Sequence, residues 1–476
     1  MARPLLSVQS VIRSRWSILM CSCVIYFAQD FFHDVPSVIV RRLTGSSPAC
    51  RNHTDHCLHL SDSMYNSLYT AHTWASAVSA FITAILMGRY GGGVILWASN
   101  VLMMAGSAMF LVGSYGLTST AYPLLLFGRA IFGLGQGASI TSAGNLVSAW
   151  FVYHELGLSS AITTLASRLG SATNYLLVGG VLDSIGMSGC LWIALILTVF
   201  SWVASIIMGR IDDQYNLDKQ TETKQHLRRM WKILRSFGGL YWSFLVVYFL
   251  LHGIVGAFTA NSSKMFYVQK HLSETEASYA VSLVHILGIL VLPVGYLDDR
   301  FGQRQRWITA GTFLAFFAFL IYTVFGGISA AFLTSTLGIA YALFDPTASS
   351  AGTLLSPQDT GGIANGVSKF FRYICVGLLT TGAGLLVDRG DSMSEWVWAK
   401  FLILLSGLSA VAVVASVCML VFHVNHPKRP LAPSRRELRL QRQMEMAGAA
   451  PEEEEKPVLS YGPTEAESLL GTDNDE

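Results

Sequence analysis

Long apolar segments alternate with short polar segments along most of the chain. The apolar segments are about 20 residues long or longer, which is the length that an α-helix needs to cross the hydrocarbon core of a bilayer. The pattern therefore predicts an all-α membrane protein with twelve transmembrane helices. The predicted spans, numbered 1 to 12 from the N-terminus, are residues 17–40, 64–88, 92–115, 120–150, 156–182, 188–209, 239–262, 277–298, 307–327, 329–354, 363–387 and 396–423.

A charged segment separates six spans from six, and the two halves resemble each other weakly. Arg168 precedes Asp183 in the first half much as Arg372 precedes Asp388 in the second. Internal repeats that face a site near the membrane midplane are common in secondary transporters. We therefore predict two pseudo-symmetric six-helix bundles around one central cavity. The predicted parts are an N-terminal bundle (1–209) with a lumenal loop (41–63), a cytoplasmic linker (210–237), a C-terminal bundle (238–423) and a disordered cytoplasmic tail (424–476).

The composition agrees with a membrane protein, because 52% of the residues are hydrophobic and only 13% are charged. A soluble domain carries about 25% charged residues. The formal net charge of +2 gives no indication of nucleic-acid binding. The first apolar segment follows Arg13 and Arg15, and we expect it to be a retained helix rather than a cleaved signal peptide.

The distribution of Lys and Arg predicts the orientation in the membrane. If both termini are cytoplasmic, the N-terminus and the loops after spans 2, 6 and 8 carry more Lys and Arg than the loops on the other side. The loop between spans 1 and 2 is then lumenal. It holds Asn52 in a glycosylation sequon, and it holds Cys50 and Cys57, which can form a disulfide in an oxidising lumen.

Two glycine-containing loops predict a conformational latch at the cytoplasmic end. The loop after span 8 reads GYLDDRFGQRQR and resembles the G-x-x-x-D-R-x-G-[RKQ] loop of the major facilitator superfamily. Gly295 allows close helix approach, and Asp299 and Arg300 are predicted to make charge contacts that form in one conformation and break in the other. The corresponding first-half loop, LMGRYGGG, keeps Arg89 but has Gly88 in place of the aspartate. We therefore predict a major facilitator fold whose latch is stronger in the second half.

Span 5 contains Arg168 but no acidic residue. An arginine at the centre of a bilayer costs roughly 2.5–3.5 kcal/mol on insertion scales, and embedded ionisable residues commonly mark substrate pathways. We predict that Arg168 lines a water-filled passage and binds a substrate anion there. Other embedded cations are predicted to make the cavity positive, with carboxylates to balance them, and Asp345 is a candidate partner for one cation of span 11. The cations are Arg129, Lys369 and Arg372, and the carboxylates are Asp34 and Asp345.

Span 1 carries Asp30 and Asp34 four residues apart, hence on one helix face, with His33 between them. These carboxylates bind a substrate amine, carry protons, or neutralise Arg129 in span 4. His252 is embedded in span 7, and it is either a hydrogen-bonded packing residue or part of a proton relay.

The sequence holds no pattern typical of an enzyme or a metalloprotein. It has no Gly-x-Ser-x-Gly elbow, no P-loop and no His-Glu-x-x-His motif. The glycines of GLGQG lie within a predicted membrane helix rather than after a strand, so they do not indicate a dinucleotide site. We therefore expect no catalytic residues, no metal, no cofactor and no nucleic-acid partner.

Several segments are similar to the lysosomal dipeptide transporters of the major facilitator superfamily. The most specific of them reads ELGLSSAITTLASRLGSATN, and the resemblance continues through MCSCVIYFAQDFFHDVPSVI and LSPQDTGGIANGVSKFFRYICVGLL. It covers most of the twelve-span core. The resemblance implies a uniporter that moves dipeptides from the lysosome to the cytosol by alternating access, with a glycosylated accessory membrane protein as a partner.

The resemblance also implies roles for individual residues. Arg168 matches the family's span-5 arginine, which would face the peptide carboxylate. The family's span-4 glutamate, which would meet the peptide amine, aligns with Gly137. Gln136 is adjacent, but one residue turns a helix by about 100°, so either an embedded aspartate supplies the negative charge or the substrate is a monoanion. The residues that we assign to substrate binding are Arg168, Asp34, Gln136, Asn174, Asp345, Lys369 and Arg372.

Near the C-terminus, EAESLL fits an acidic dileucine motif formed by Glu465, Leu469 and Leu470, which an endosomal adaptor can read. We therefore expect an endosomal or lysosomal membrane, with the plasma membrane as the alternative. Two other functions stay open. A proton-coupled symporter of an organic anion or sugar would use the acidic residues of span 1. A non-transporting receptor with the same fold would explain the missing aspartate of the first-half loop.

Overall fold

All regular secondary structure in the described part of the chain is helical, as the length of the apolar segments predicts. The computed structural model describes residues 8–47, 50, 57–116, 118–151, 156–215, 235, 237–355, 361–388, 394–426, 429–434, 436–437 and 440.

The helices of the N-terminal half lie where the apolar segments predict them. Spans 5 and 6 form one helical run that changes direction at Gly186, where φ is +70° and ψ is 176°. Only glycine adopts such a conformation readily, because it has no Cβ. Span 1 is Val8–Val38, followed by the short helix Val40–Leu43; span 2 is Asp62–Tyr90, span 3 is Gly92–Gly113 and span 4 is Thr118–Phe151; spans 5 and 6 comprise Leu156–Thr173, the π-helical turn Asn174–Val178 and Gly179–Tyr215.

The helices of the C-terminal half follow the same order. Span 8 begins with a capping box, in which Ser273 Oγ accepts from the Glu276 amide and the Glu276 carboxylate accepts from the Ser273 amide. Span 7 is Gly239–Lys270; span 8 comprises Glu274–Ile286, the 3-10 turn Leu287–Leu290 and Val291–Phe301; span 9 is Arg304–Val324, span 10 is Ala330–Leu354, span 11 is Gly361–Asp388 and span 12 is Glu395–Asn425.

Nine helices in the described ranges are long and apolar enough to cross a bilayer by themselves. Spans 5 and 6 count as one of these because their helical run is continuous. Spans 2 and 10 fall outside the nine, since span 2 is rich in Ser, Thr and Tyr and span 10 contains Asp345. The structure confirms the predicted all-α membrane fold with two six-helix halves.

The two halves touch at the end that carries the loop between spans 8 and 9, which the charges predict to be cytoplasmic. Both carboxylate oxygens of Asp299 accept backbone hydrogen bonds from the start of span 5, from Gly157 at 3.1 Å and Leu158 at 3.0 Å. A Cβ added to Gly295 would lie 2.5 Å from the Cβ of Ala161, so only glycine permits this approach. Spans 5 and 8 therefore close this end of the interface between the bundles.

Contacts also join the halves at the opposite end, which the charges predict to be lumenal. Lys264 of span 7 forms an ion pair with Asp62 at the start of span 2. One turn further into the membrane, Asn261 donates a hydrogen bond to Asn66 over 3.1 Å. The two bundles are therefore in contact at both ends in this conformation.

The other predicted latch residues contribute less. Arg300 is exposed, lies 5.4 Å from the centroid of the Phe301 ring and forms no ion pair within the described set of residues. The side chain of Arg89 lies outside the described residues. Among the charged residues of the predicted latch, Asp299 makes the hydrogen bonds between the two bundles that the structure describes.

Part of the predicted disordered tail packs against the latch loop. Gln303 and Arg304 donate backbone hydrogen bonds to the carbonyls of Ala432 and Leu431. Leu431 is fully buried. Residues 429–434 therefore pack against the start of span 9, which differs from the expectation of disorder from residue 424 onward.

The lumenal loop contains the predicted disulfide partners. Cys50 and Cys57 are joined by a disulfide in the structure. Asn52, between them, lies outside the described residues. The same is true of the sorting motif that Glu465, Leu469 and Leu470 form.

Candidate functional site

A cavity lies between the two bundles, and both bundles contribute to its wall. Spans 1, 4 and 5 line one side, and spans 10 and 11 line the other. The lining side chains are mostly polar or charged, with one aliphatic side chain among those described. They are Tyr26, Asp30, His33, Gln136, Ile140, Thr163, Thr164, Ser167, Asp345, Ser349, Lys369, Arg372 and Tyr373.

The N-terminal bundle presents a fixed carboxylate to the cavity. One oxygen of Asp30 accepts a hydrogen bond from the Gln136 amide over 3.2 Å, and the other accepts from the Ser167 hydroxyl. Gln136 is itself oriented by a hydrogen bond with the His72 ring. Two donors directed at the oxygens suit an ionised acceptor, so Asp30 is placed to bind a cationic group.

The C-terminal bundle presents two cations. Lys369 and Arg372 are three residues apart in span 11 and therefore share a helix face. The Lys369 ammonium lies 3.3 Å from the Tyr248 hydroxyl, and Arg372 lies 6.0 Å from the Tyr373 ring. Neither has a carboxylate within ion-pair distance among the residues described. Both are therefore available to an anionic group in the cavity.

Arg168 does not line the cavity in this conformation, which corrects the sequence-based expectation. Its Nη2 donates to Asp345 Oδ2 over 2.8 Å, and the guanidinium lies 3.9 Å from the centroid of the Tyr341 ring. His252 Nε2 lies 3.2 Å from the other Asp345 oxygen. The Arg168 and Asp345 side chains are each only 11% exposed. A buried cation needs a counterion, and span 10 supplies the acid that span 5 lacks.

The same contact corrects the expected partner of Asp345. Lys369 or Arg372 was predicted to pair with this carboxylate, but Arg168 and His252 occupy its two oxygens. The Arg168–Asp345 ion pair joins span 5 to span 10 and thus one bundle to the other.

Arg129 donates its hydrogen bonds to the backbone of span 1. It is fully buried and donates to the backbone carbonyls of Phe32 and His33, over 3.4 and 3.0 Å. Its guanidinium also lies 5.1 Å from the Tyr69 ring. Carbonyl oxygens of span 1 accept the hydrogen bonds that the structure describes for this cation, and Asp34, which is buried in the same span, stays the candidate for its counter-charge.

The two aspartates of span 1 face different surroundings. Asp30 lines the cavity, whereas Asp34 is buried outside it, 3.8 Å from His33. His33 lines the cavity, and its ring centroid lies 4.7 Å from that of His72. Asp34 is predicted to bind substrate, but in this conformation it lies one turn further along span 1 than Asp30 and does not line the cavity.

Gly137, which aligns with the family's glutamate, lies where spans 2 and 4 pack closely together. A Cβ on Gly137 would overlap the carbonyl of Ser76 in span 2, and it would also meet the Ser79 hydroxyl. No side chain fits there while spans 2 and 4 pack in this way. Gln136, one residue earlier, points into the cavity instead and positions Asp30.

Asn174 opens the π-helical turn of span 5 and is fully buried. Neither atom of its amide has a hydrogen-bond partner in the described part of the structure, and it does not line the cavity. It therefore lies away from the cavity in this conformation, and its predicted contact with substrate stays a prediction; π-helical turns are frequent at functional sites.

Several cavity residues were missed by the sequence analysis. Tyr26 and Thr163 lie four residues before Asp30 and Ser167, so they share helix faces with cavity residues. Tyr373 lies next to Arg372. Helical spacing from the charged residues is the signal that would have found the first two.

Comparisons with known proteins concern the chain as a whole. A family model described as the Major Facilitator Superfamily matches residues 6–380. The Homo sapiens protein "Lysosomal dipeptide transporter MFSD1" is 24% identical over 434 residues, which covers 87% of this chain and 88% of that protein. Its Danio rerio counterpart is 22% identical over 391 residues, covering 78% and 80%.

A solved structure shares the fold. The crystal structure of a mutant of the nucleoside transporter NupG matches with a TM-score of 0.63 at 11% identity. The match covers 84% of this chain and 99% of that chain. At this identity the likeness concerns the arrangement of helices alone.

Proposed function

Because the chain belongs to the Major Facilitator Superfamily and is a membrane transporter of that type, we propose that it is a uniporter for dipeptides or related small amino-acid-derived solutes. The proposed direction is from the lysosome to the cytosol. The names of the relatives, which match over most of both chains, support this substrate and this membrane.

The observation that carries the proposal is the distribution of charge around the cavity. Asp30 belongs to the N-terminal bundle, whereas Lys369 and Arg372 belong to the C-terminal bundle. A peptide has an ammonium group at one end and a carboxylate at the other. Bound between Asp30 and the two cations, it would contact both bundles at once and favour the occluded conformation. Alternating access then follows from rocking the bundles around this site.

In this proposal Arg168 and Asp345 form an internal gate rather than the primary substrate site. Their ion pair spans the two bundles, so it must break when the bundles separate on that side. Removing one partner of a buried ion pair costs about 3–5 kcal/mol, because the other charge is left uncompensated. Water or solute must therefore replace each partner as the gate opens.

The cytoplasmic latch is the second barrier. Asp299 accepts hydrogen bonds from the first amides of span 5, where the helix dipole also favours a negative charge. Release of solute to the cytosol requires spans 5 and 8 to part and this contact to break.

Partners beyond the solute and the bilayer remain predictions. An accessory glycosylated membrane protein follows from the family resemblance, and an endosomal adaptor follows from the dileucine motif of the tail. Co-purification from cells would test the first. Relocation of a Leu469→Ala, Leu470→Ala variant to the plasma membrane would test the second.

Uptake of dipeptides by purified protein in liposomes tests the proposed function. The wild type should accumulate peptide to equilibrium, and a Lys369→Gln, Arg372→Gln variant should not. Lys400→Gln is the matched control, because Lys400 is exposed on span 12 and lies over the Trp396 ring. Binding of peptide without any uptake would instead support the alternative of a non-transporting receptor with the same fold.

A proton-coupled symporter is the second candidate, and one observation favours it. Asp30 and His33 both line the cavity, and both belong to groups that exchange protons. A change of pH inside the liposomes that follows solute uptake would support the symporter. Uptake that leaves the internal pH constant supports the uniporter.

A further inference from the structure

The charges of the cavity do not balance. Two cations, Lys369 and Arg372, face one free carboxylate, Asp30. The second carboxylate of the lining, Asp345, is matched by Arg168 behind it. With the histidines neutral, the lining and its ion pair carry a formal charge of +1.

The next shell of ionisable groups leaves this balance unchanged. Arg129 and Asp34 are both buried beside the cavity and add one charge of each sign. Uncompensated charge is costly in a space of low dielectric constant. A bound solute with a net charge of −1 would neutralise the site, whereas a neutral zwitterion would leave one cation unmatched.

The numbers of cationic and anionic binding groups in the cavity also favour a solute with a net negative charge. Lys369 and Arg372 are two separate positions for a carboxylate, and neither is engaged by an acidic residue in the described structure. Asp30 is one position for an ammonium group, because each of its oxygens has accepted a single hydrogen bond and has a second lone pair. The complementary solute has two carboxylates and one ammonium.

The uncharged part of the lining offers little to an apolar side chain. Ile140 is the one aliphatic residue among the described residues of the wall, and hydroxyl groups such as those of Thr163, Ser167 and Ser349 predominate. Apolar surface is limited to Ile140 and the rings of Tyr26 and Tyr373, so the burial of apolar surface, which drives the binding of large hydrophobic side chains, is secondary to charge here.

We infer that the cavity selects amino-acid-derived solutes that carry two carboxylates and one ammonium group, namely dipeptides with one acidic side chain or free acidic amino acids. This inference rests on the proposed function and narrows its substrate class. The ammonium binds Asp30, and the two carboxylates bind Lys369 and Arg372.

Three dipeptides of nearly equal size test the inference. Ala-Glu carries a net charge of −1, Ala-Gln is its neutral isostere, and Ala-Lys is cationic. Uptake by full-length protein in liposomes is measured by mass spectrometry of the trapped peptide, with empty liposomes as the blank. We expect the initial rate at low concentration to be about tenfold higher for Ala-Glu than for Ala-Gln, and lowest for Ala-Lys.

Removal of one cation should reverse the preference. Lys369→Gln makes the formal charge of the site zero, so Ala-Gln should be taken up faster than Ala-Glu. Lys400→Gln, a variant of an exposed lysine on span 12, should keep the wild-type ratio. If Lys369→Gln does not fold, Arg372→Gln carries the same expectation. Thermal stabilisation of the wild type by the three peptides gives the same ranking without a variant.

The outcomes separate the inference from the proposed function. Faster uptake of Ala-Gln than Ala-Glu by the wild type would overturn the inference and leave the dipeptide transporter standing. Equal uptake of all three would do the same, because a selective charge balance predicts a difference. No uptake of any peptide above empty liposomes would overturn both.

Discussion

The guanidinium of Arg168 and the carboxylate of Asp345 are 177 residues apart in the chain, yet Nη2 and Oδ2 are 2.8 Å apart in the fold. Arg168 belongs to span 5 and Asp345 to span 10, so the ion pair connects the two bundles. The ion pair lies beside the cavity, and it must break when spans 5 and 10 move apart.

A double-mutant cycle can measure how much the Arg168–Asp345 ion pair contributes to stability. Arg168→Ala leaves the buried Asp345 without its cation, and we expect a loss of roughly 3–5 kcal/mol of stability. Adding Asp345→Ala should restore part of this loss, since no uncompensated charge then remains. Thermal unfolding of the two single variants and the double variant measures the coupling. Additive losses would show that the two residues do not interact.

Asp30 predicts selectivity for a free amine. N-acetyl-Ala-Glu lacks the ammonium group of Ala-Glu, so the wild type should take it up far more slowly. Asp30→Asn removes the negative charge that the ammonium contacts. The asparagine keeps one oxygen, which can still accept a hydrogen bond from Gln136 or Ser167. In this variant the uptake of the two peptides should become similar. An Asp30→Asn variant that still prefers Ala-Glu would place the ammonium elsewhere.

The close packing at Gly137 predicts that a glutamate introduced there, as in the family, destabilises the protein. A side chain there overlaps the Ser76 carbonyl of span 2. Overpacking costs about 1–3 kcal/mol or more, so Gly137→Glu should lower the melting temperature and reduce uptake. Gly382→Ala is the control, because a Cβ at Gly382 meets nothing within 4 Å. A Gly137→Glu protein of normal stability and higher peptide affinity would contradict this packing.

Asp299 predicts a shift in the conformational equilibrium. Asp299→Ala removes the acceptor for the Gly157 and Leu158 amides, at a cost of about 0.5–2 kcal/mol for a capping contact. The cytoplasmic end should then open more often. Alkylation of a cysteine introduced at Thr164, which lines the cavity, reports this opening, and Arg300→Ala, which changes an exposed side chain, should leave the labelling rate unchanged. Equal labelling in the Asp299→Ala variant would argue against a latch.

The sequence was sufficient for the fold, because a span needs only length and apolar composition. It also singled out Asp30, Lys369 and Arg372, because ionisable residues are rare in membrane helices and stand out. Helical spacing placed Asp30 and Asp34 on one face, but it could not tell that only Asp30 is level with the cavity.

The partners of the embedded charges were beyond the sequence. Nothing local to span 5 indicates that Asp345 of span 10 is the counterion of Arg168, since that depends on how the bundles meet. Nothing in span 4 indicates that carbonyl groups beside Pro36, a helix-distorting residue of span 1, accept the hydrogen bonds of Arg129. Tertiary packing decides both cases.

A structure of the protein with bound Ala-Glu tests the central claim most directly. The claim predicts the peptide ammonium within hydrogen-bond distance of Asp30 and its carboxylates on Lys369 and Arg372, with the Arg168–Asp345 ion pair intact. A peptide carboxylate bound to Arg168, with Asp345 displaced and the span-11 cations unoccupied, would contradict it.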